Sequence, residues 1–185
     1  MLILIFFGVV EVSNLLITDM KARTAAAVVG DLLTQDPNGV VSVDNLNELS
    51  TAVHRVMYPL RSELETAPLD MAVVLTVFLT EDTGSGPTST VRWSRMLPNQ
   101  SSVTLDSGTV QDNEVLGCNV VTDLPADLAE TGNDVARVAV YYDWRPWFTT
   151  IFATSPIALS AVNFNMPRYA TRLQPDTTLS PTCTN

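Results

Sequence analysis

Residues 1–35, MLILIFFGVVEVSNLLITDMKARTAAAVVGDLLTQ, open the chain with a greasy run that passes without a break into a helical stripe. Met1 to Val10 are apolar without exception, and Leu15, Leu16 and Ile17 continue the run after Glu11, Ser13 and Asn14. About 17 residues of mostly apolar helix result, just short of the roughly 20 that cross a hydrocarbon layer of about 30 Å. A secretory signal peptide fits poorly, because no basic region precedes the run and no small-x-small cleavage site closes it. Instead Ala25, Val28, Val29, Leu32 and Leu33 recur at helical spacing, with Asp19, Lys21, Arg23 and Asp31 off that stripe. The spacing predicts one helix to about Gln35, stopped by Asp36-Pro37-Asn38-Gly39. Burial as an ordinary core helix is the competing reading of the same pattern.

Glu11 sharpens the choice. A glutamate facing lipid in an apolar helix costs about 2–3 kcal/mol, so it calls for either the membrane interface or a protein partner. Both readings stand at this point: interfacial placement near the end of the span, or a contact with other helices in an assembly.

The remainder fits one domain. The chain has 185 residues, 46% hydrophobic and 16% charged, enough for one core plus an appended element. Acidic side chains number 20 against 10 basic, a formal charge of −10 that repels phosphate backbones and disfavours nucleic acid as a partner. Cys118 and Cys183 are the only cysteines and lack the close spacing of a zinc or redox motif. In an exported domain they read as one disulfide, which would stabilise by roughly 4 kcal/mol in the chain-entropy model and hold the C-terminus. Two unpaired buried thiols are the alternative.

A second helix is signalled by Ser42 as N-cap, Asp44 in the first turn, and an apolar face of Val43, Leu46, Leu49, Val53, Val56 and Met57 before Pro59. Its apolar face is expected to lie on the sheet that follows. Met71 to Thr80 (MAVVLTVFLT) is β-branched, short and bounded, and reads as a buried strand. Across Glu81 to Pro87, Ser89 to Met96 alternates and completes a hairpin. Leu97 to Asn133 is polar and reads as irregular. Val135 to Trp144 alternates as a strand ending at Pro146, and Ile157 to Met166 reads as a last strand before Pro167-Arg168. Gln174 to Asn185 reads as a polar tail. The order implies an α+β fold, with a long helix over 1–35 protruding from a head over 36–185 built on a small antiparallel sheet.

No catalytic constellation is legible. His54, the single histidine, sits off the apolar stripe of the second helix and reads as solvated. Nucleophile elbow, HExxH, EF-hand and P-loop patterns are absent, and Gly84-Ser85-Gly86 serves a turn. Asp123, Asp127, Glu130 and Asp134 have the oxygens that calcium favours, but their spread follows no ligand-loop pattern and a solvated acidic face is the stronger reading. Trp144, Trp147 and Phe148 around Arg145-Pro146 read as packing rather than a ligand box. The expectation is a protein without enzymatic activity, cofactor or metal.

Phe7-Gly8-Val9-Val10-Glu11, Arg23 with Ala25-Ala26-Ala27, and Gly30-Asp31-Leu32-Leu33 together resemble the latter half of the N-terminal motif of the TadE-like family of tight-adherence (Flp) pilus proteins. The downstream layout is similar too, with Val138, Val140 and Tyr142 leading to Trp144-Arg145-Pro146, and a late strand closing at Arg168. Only the first third or so is specific. The resemblance implies a minor pilin or pseudopilin: an inner-membrane helix, carrying Phe7, Gly8, Glu11, Arg23 and Ala26, that gathers with other pilins and a dedicated assembly machine, while the head faces outward. The family's basic leader, glycine cleavage site and early glutamate-phenylalanine pair have no counterpart here. The expectation is that Met1 is an internal methionine, with about 15–25 residues preceding it, a length that would complete the span. A single-pass anchored sensor or ligand-binding domain is the rival reading, and it requires a well-formed pocket.

Overall fold

The computed structural model describes residues 2–60, 71–82, 87–97, 103–105, 108–110, 124–125, 128, 132–146 and 156–176. In chain order the elements are α1 (Leu2–Thr34), β1 (Val40–Val41), α2 (Val43–Met57), β2 (Met71–Asp82), β3 (Pro87–Leu97), β4 (Val103–Leu105), β5 (Gly108–Val110), β6 (Asp134–Trp144), β7 (Ile157–Asn165) and β8 (Gln174–Pro175). The fold is α+β, with a long N-terminal helix, a second helix and a small antiparallel sheet.

α1 stops where the sequence withdraws its donors and its helical dihedrals. The Asn38 N–H donates to Asp36 Oδ1 at 2.8 Å, an Asx turn, and Gly39 takes φ +63°. α2 then starts with a reciprocal cap. The Asn45 N–H donates to Ser42 Oγ at 3.2 Å and the Ser42 N–H to Asn45 Oδ1 at 3.0 Å. Leu46, Leu49, Val53 and Met57 of α2 are buried, while Val43 at its start is exposed.

The main sheet has the order β3-β2-β6-β7, every neighbouring pair antiparallel. Its inner face carries Met71, Val73, Leu75 and Val77 of β2 with Val138, Val140 and Tyr142 of β6, and shares one core with both helices. The C-terminal half of α1 covers β6 and β7, and α2 packs chiefly along α1 while reaching the same core. Small residues make that close approach possible: Ala22, Ala25 and Ala26 are buried, and a Cβ at Gly30 would meet the Asn165 side chain at 2.5 Å.

The sheet is buried on its other face as well, where Ala72, Val74, Met96 and Ala139 form a second cluster with Tyr141 against it. That explains why β2 reads as a continuous apolar run. A β4–β5 hairpin within the stretch read as irregular lies near β2. Its sequence signal, VTLDSGTV, is short and easily passed over. A shift in register between Val77 and Phe78, opposite Trp93 and Val91, marks a bulge at Arg92.

The segment after β7 ties the ends together. Its β8 pairs in parallel with β1, and the Gln174 N–H donates to the Gly39 carbonyl at 2.7 Å. The Trp93 Nε1–H donates to the Leu173 carbonyl at 2.9 Å, and Arg168 pairs with Asp31 at 2.7 Å. The chain through Asp176 is therefore held by backbone pairing and buried contacts. Cys118 and Cys183, with the expected disulfide, lie outside the described residues.

Candidate functional site

The candidate site is the surface of α1, whose two sides differ in an unusual way. Positions buried against the protein run Glu11, Asn14, Thr18, Ala22, Ala25, Val29 and Leu33, a stripe at helical spacing. In its first half the buried members are polar: Glu11 is 3% exposed and Thr18 0%. The bulky apolar side chains of that half, from Leu2 to Phe6 and then Val9, Val12, Leu16, Ile17 and Met20, are exposed. A soluble protein's surface helix has the reverse arrangement. Past Met20 the usual order returns, with small and apolar residues inward and Arg23, Thr24 and Ala27 outward.

The polar inner stripe is locally satisfied where its hydroxyl is concerned. Thr18 Oγ1 donates to the Asn14 carbonyl one turn back at 2.8 Å, so the hydroxyl needs no partner from outside the helix. Glu11 is buried within its own chain, a placement different from both the interfacial position and the contact with other helices expected for it. Phe7 and Gly8 are half-buried, and the Phe7 ring meets Phe6 edge-on with centroids 6.0 Å apart. Ala26 is core, packed where α1 crosses the head, so it serves the fold. Arg23 is exposed and pairs with Asp19 at 2.8 Å one turn away, the first ion pair on the outer surface of α1. Lys21 donates to the Tyr58 carbonyl at the end of α2, fixing the end of α2 beside the middle of α1.

α1 is long and apolar enough to cross a membrane, and only 11% of its most hydrophobic 18-residue window is buried within the protein. Sequence reasoning placed this helix but missed Asn14 and Thr18 as its inner face. Their signal was available, since Glu11, Asn14 and Thr18 recur at three- and four-residue intervals.

The other candidate chemistry resolves differently. Asp134, expected on a solvated acidic face or as a calcium ligand, is fully buried. Its Oδ2 accepts from Arg92 Nη1 at 2.7 Å and from the Leu173 N–H at 2.6 Å, making it a clasp between the sheet and the C-terminal segment. Burial pushes its pKa up, against the opposing pull of the Leu173 N–H and Arg92. Asp123, Asp127 and Glu130 lie outside the described residues, and among those described no group of three or more His, Cys, Asp or Glu side chains is placed to hold a metal. His54 sits half-buried in the last turn of α2, its carbonyl accepting from the Tyr58 N–H at 3.0 Å. Trp144 is core, while Trp147 and Phe148 lie outside the described residues.

Among the described residues, two depressions bear on ligand binding. One, of about 80 Å³, lies between Leu33, Val41, Asn45 and Leu49; another, of about 380 Å³, opens along Asn47, Thr51 and Arg55 on the polar side of α2. The first is smaller than small-molecule sites commonly are and the second lies on a polar helix surface, so neither has the form of a mostly apolar binding chamber.

No family model matches the chain, and neither the curated proteins nor the solved structures include one similar to it.

Proposed function

We propose that this protein is a non-enzymatic, membrane-anchored minor pilin or pseudopilin of the TadE-like kind. In this reading α1 holds the chain in the inner membrane and packs with other pilin helices during assembly of a tight-adherence pilus, while the acidic head stays outside. The observation that carries the proposal is the inverted first half of α1, polar toward its own head and bulky-apolar toward its surroundings. Water is a poor solvent for such a surface; lipid and apolar helices are good ones. The resemblance at Phe7 to Glu11 and Arg23 to Leu33 supplies the pilus context.

The test is site-specific photo-crosslinking in cells from Leu4 and Val9, which point outward, rather than from Glu11, which does not. Capture of other pilins, identified by mass spectrometry, is the expected result. Capture of lipid alone under conditions of active pilus assembly would leave an anchored protein without a filament role and would refute the pilin assignment.

A further inference from the structure

The exposed apolar surface of α1 does not stop where the head begins. Head packing on α1 starts at Glu11, yet Val12, Leu16, Ile17 and Met20 remain exposed on the opposite side, Leu16 by 58% and Met20 by 66%. Between Glu11 and Met20, about 14 Å of helix at 1.5 Å per residue, one side touches the head and the other is greasy.

Resting on the membrane-anchor reading above, we infer that lipid covers this outer stripe as far as Met20, so that the head sits partly sunk in the membrane surface instead of standing clear of it. The occupant is a lipid surface because the stripe continues the exposed apolar surface of Leu2 to Val9 with no charged side chain exposed between them. Its upper limit has the chemistry of a membrane interface. The Asp19–Arg23 pair flanks Met20 there, Lys21 reaches the Tyr58 carbonyl, and Tyr58 beside it is 76% exposed. Tyrosine, lysine and arginine are the side chains that gather at that level.

The head itself is built to tolerate this depth. α1 and β7 run in the same direction, with Gly30 against Asn165 and the Thr34 carbonyl accepting from the Arg168 N–H at 3.3 Å. Counting back at about 1.5 Å per residue in the helix and 3.3 Å in the strand brings Ile157 level with roughly Val12. At that level Ile157 and Ala158 are exposed, and β7 (IALSAVNFN) carries no charge at all. On the inner side the head shields Glu11, Asn14 and Thr18, which removes the cost of exposing them to hydrocarbon.

The test places a benzoylphenylalanine photo-crosslinker singly at Ile5, Leu16, Met20 or Ala27 of the full chain. Each variant is purified and reconstituted at low density in phosphatidylcholine vesicles. All four positions are exposed, so the probe leaves the core intact. Phospholipid adducts are expected at Ile5, Leu16 and Met20 and are expected to be lost at Ala27. Adducts at Ile5 alone, with Leu16 and Met20 behaving like Ala27, would overturn the inference while sparing the anchor. Crosslinks to a second copy from Leu16 or Met20 in place of lipid would also overturn it, assigning that stripe to protein. Adducts at none of the four would sink the anchor reading itself.

Discussion

Asp134 is the residue on which the C-terminal clasp turns. It meets Arg92 from the β3 bulge and the Leu173 N–H through one carboxylate oxygen, and its own N–H donates to the Thr171 carbonyl at 3.0 Å. Asp134→Ala leaves Arg92 and a buried amide without their acceptor, and should lower stability by about 3 kcal/mol in urea unfolding. Asp134→Asn keeps an acceptor for Leu173 and removes the titration. Because the folded pKa lies above the ordinary 3.8, the folded state holds this proton more tightly than the unfolded chain does. The group's contribution is fully present below the ordinary value and lost as pH rises through the raised one. Asp134→Asn should therefore gain on the wild type over that window as pH increases, and a parallel pair of stability-pH curves would refute this. Gly39 offers an independent check: at φ +63°, a Cβ would lie 2.1 Å from the Arg172 carbonyl oxygen. Gly39→Ala should cost about 2–3 kcal/mol and separate β1 from β8, visible as faster amide exchange at Gln174 and Asp176.

At the scale of elements, what the sequence signalled well was local. Ser42 and Asp44 mark the start of α2, and Ser42→Ala should cost about 1 kcal/mol of thermal stability through loss of the cap. The four long strands were legible from alternation or from continuous β-branched runs, and their observed limits differ from the expected ones only at the ends. The β2–β3 hairpin was legible as well, because one short breaker joins its strands. What could not be read was distant pairing, since nothing local tells β2 that its other neighbour is β6. The β4–β5 hairpin was hidden for a related reason, since strands of three residues carry too little periodicity to stand out from a polar stretch. Within α1, Ala26 shows where packing overrules composition: Ala26→Leu forces extra volume into the contact with the head and should cost about 1–3 kcal/mol.

For the whole molecule, α1 divides into a part that belongs to the core and a part that belongs to the surroundings, and substitutions should separate the two. Ile5→Arg leaves the unfolding temperature of the head unchanged, because Ile5 is exposed, but weakens membrane insertion by about 2.5–3.5 kcal/mol. Flotation of reconstituted vesicles and thermal unfolding in detergent measure the two effects on one sample. A fall in head stability without loss of membrane binding would mean that the first half of α1 is core after all. Ala26→Leu should do the opposite, weakening the head and leaving flotation intact.

By itself the sequence determined that the chain starts with a long apolar helix, follows it with a capped amphipathic one, and supplies β-branched strands for one small domain. These properties depend on residues within a few positions of one another, where spacing and backbone preference act directly. Only the tertiary structure decided which way α1 faces. Glu11, Asn14 and Thr18 are polar residues in a greasy helix until the head is laid against them, and then they become its inner side. Likewise Asp134 is one acid among 20 until Arg92 and Leu173 arrive from distant parts of the chain. Local spacing can group Glu11, Asn14 and Thr18 on one side of a helix, but what buries that side, and what pairs with Asp134, comes from residues far apart in sequence.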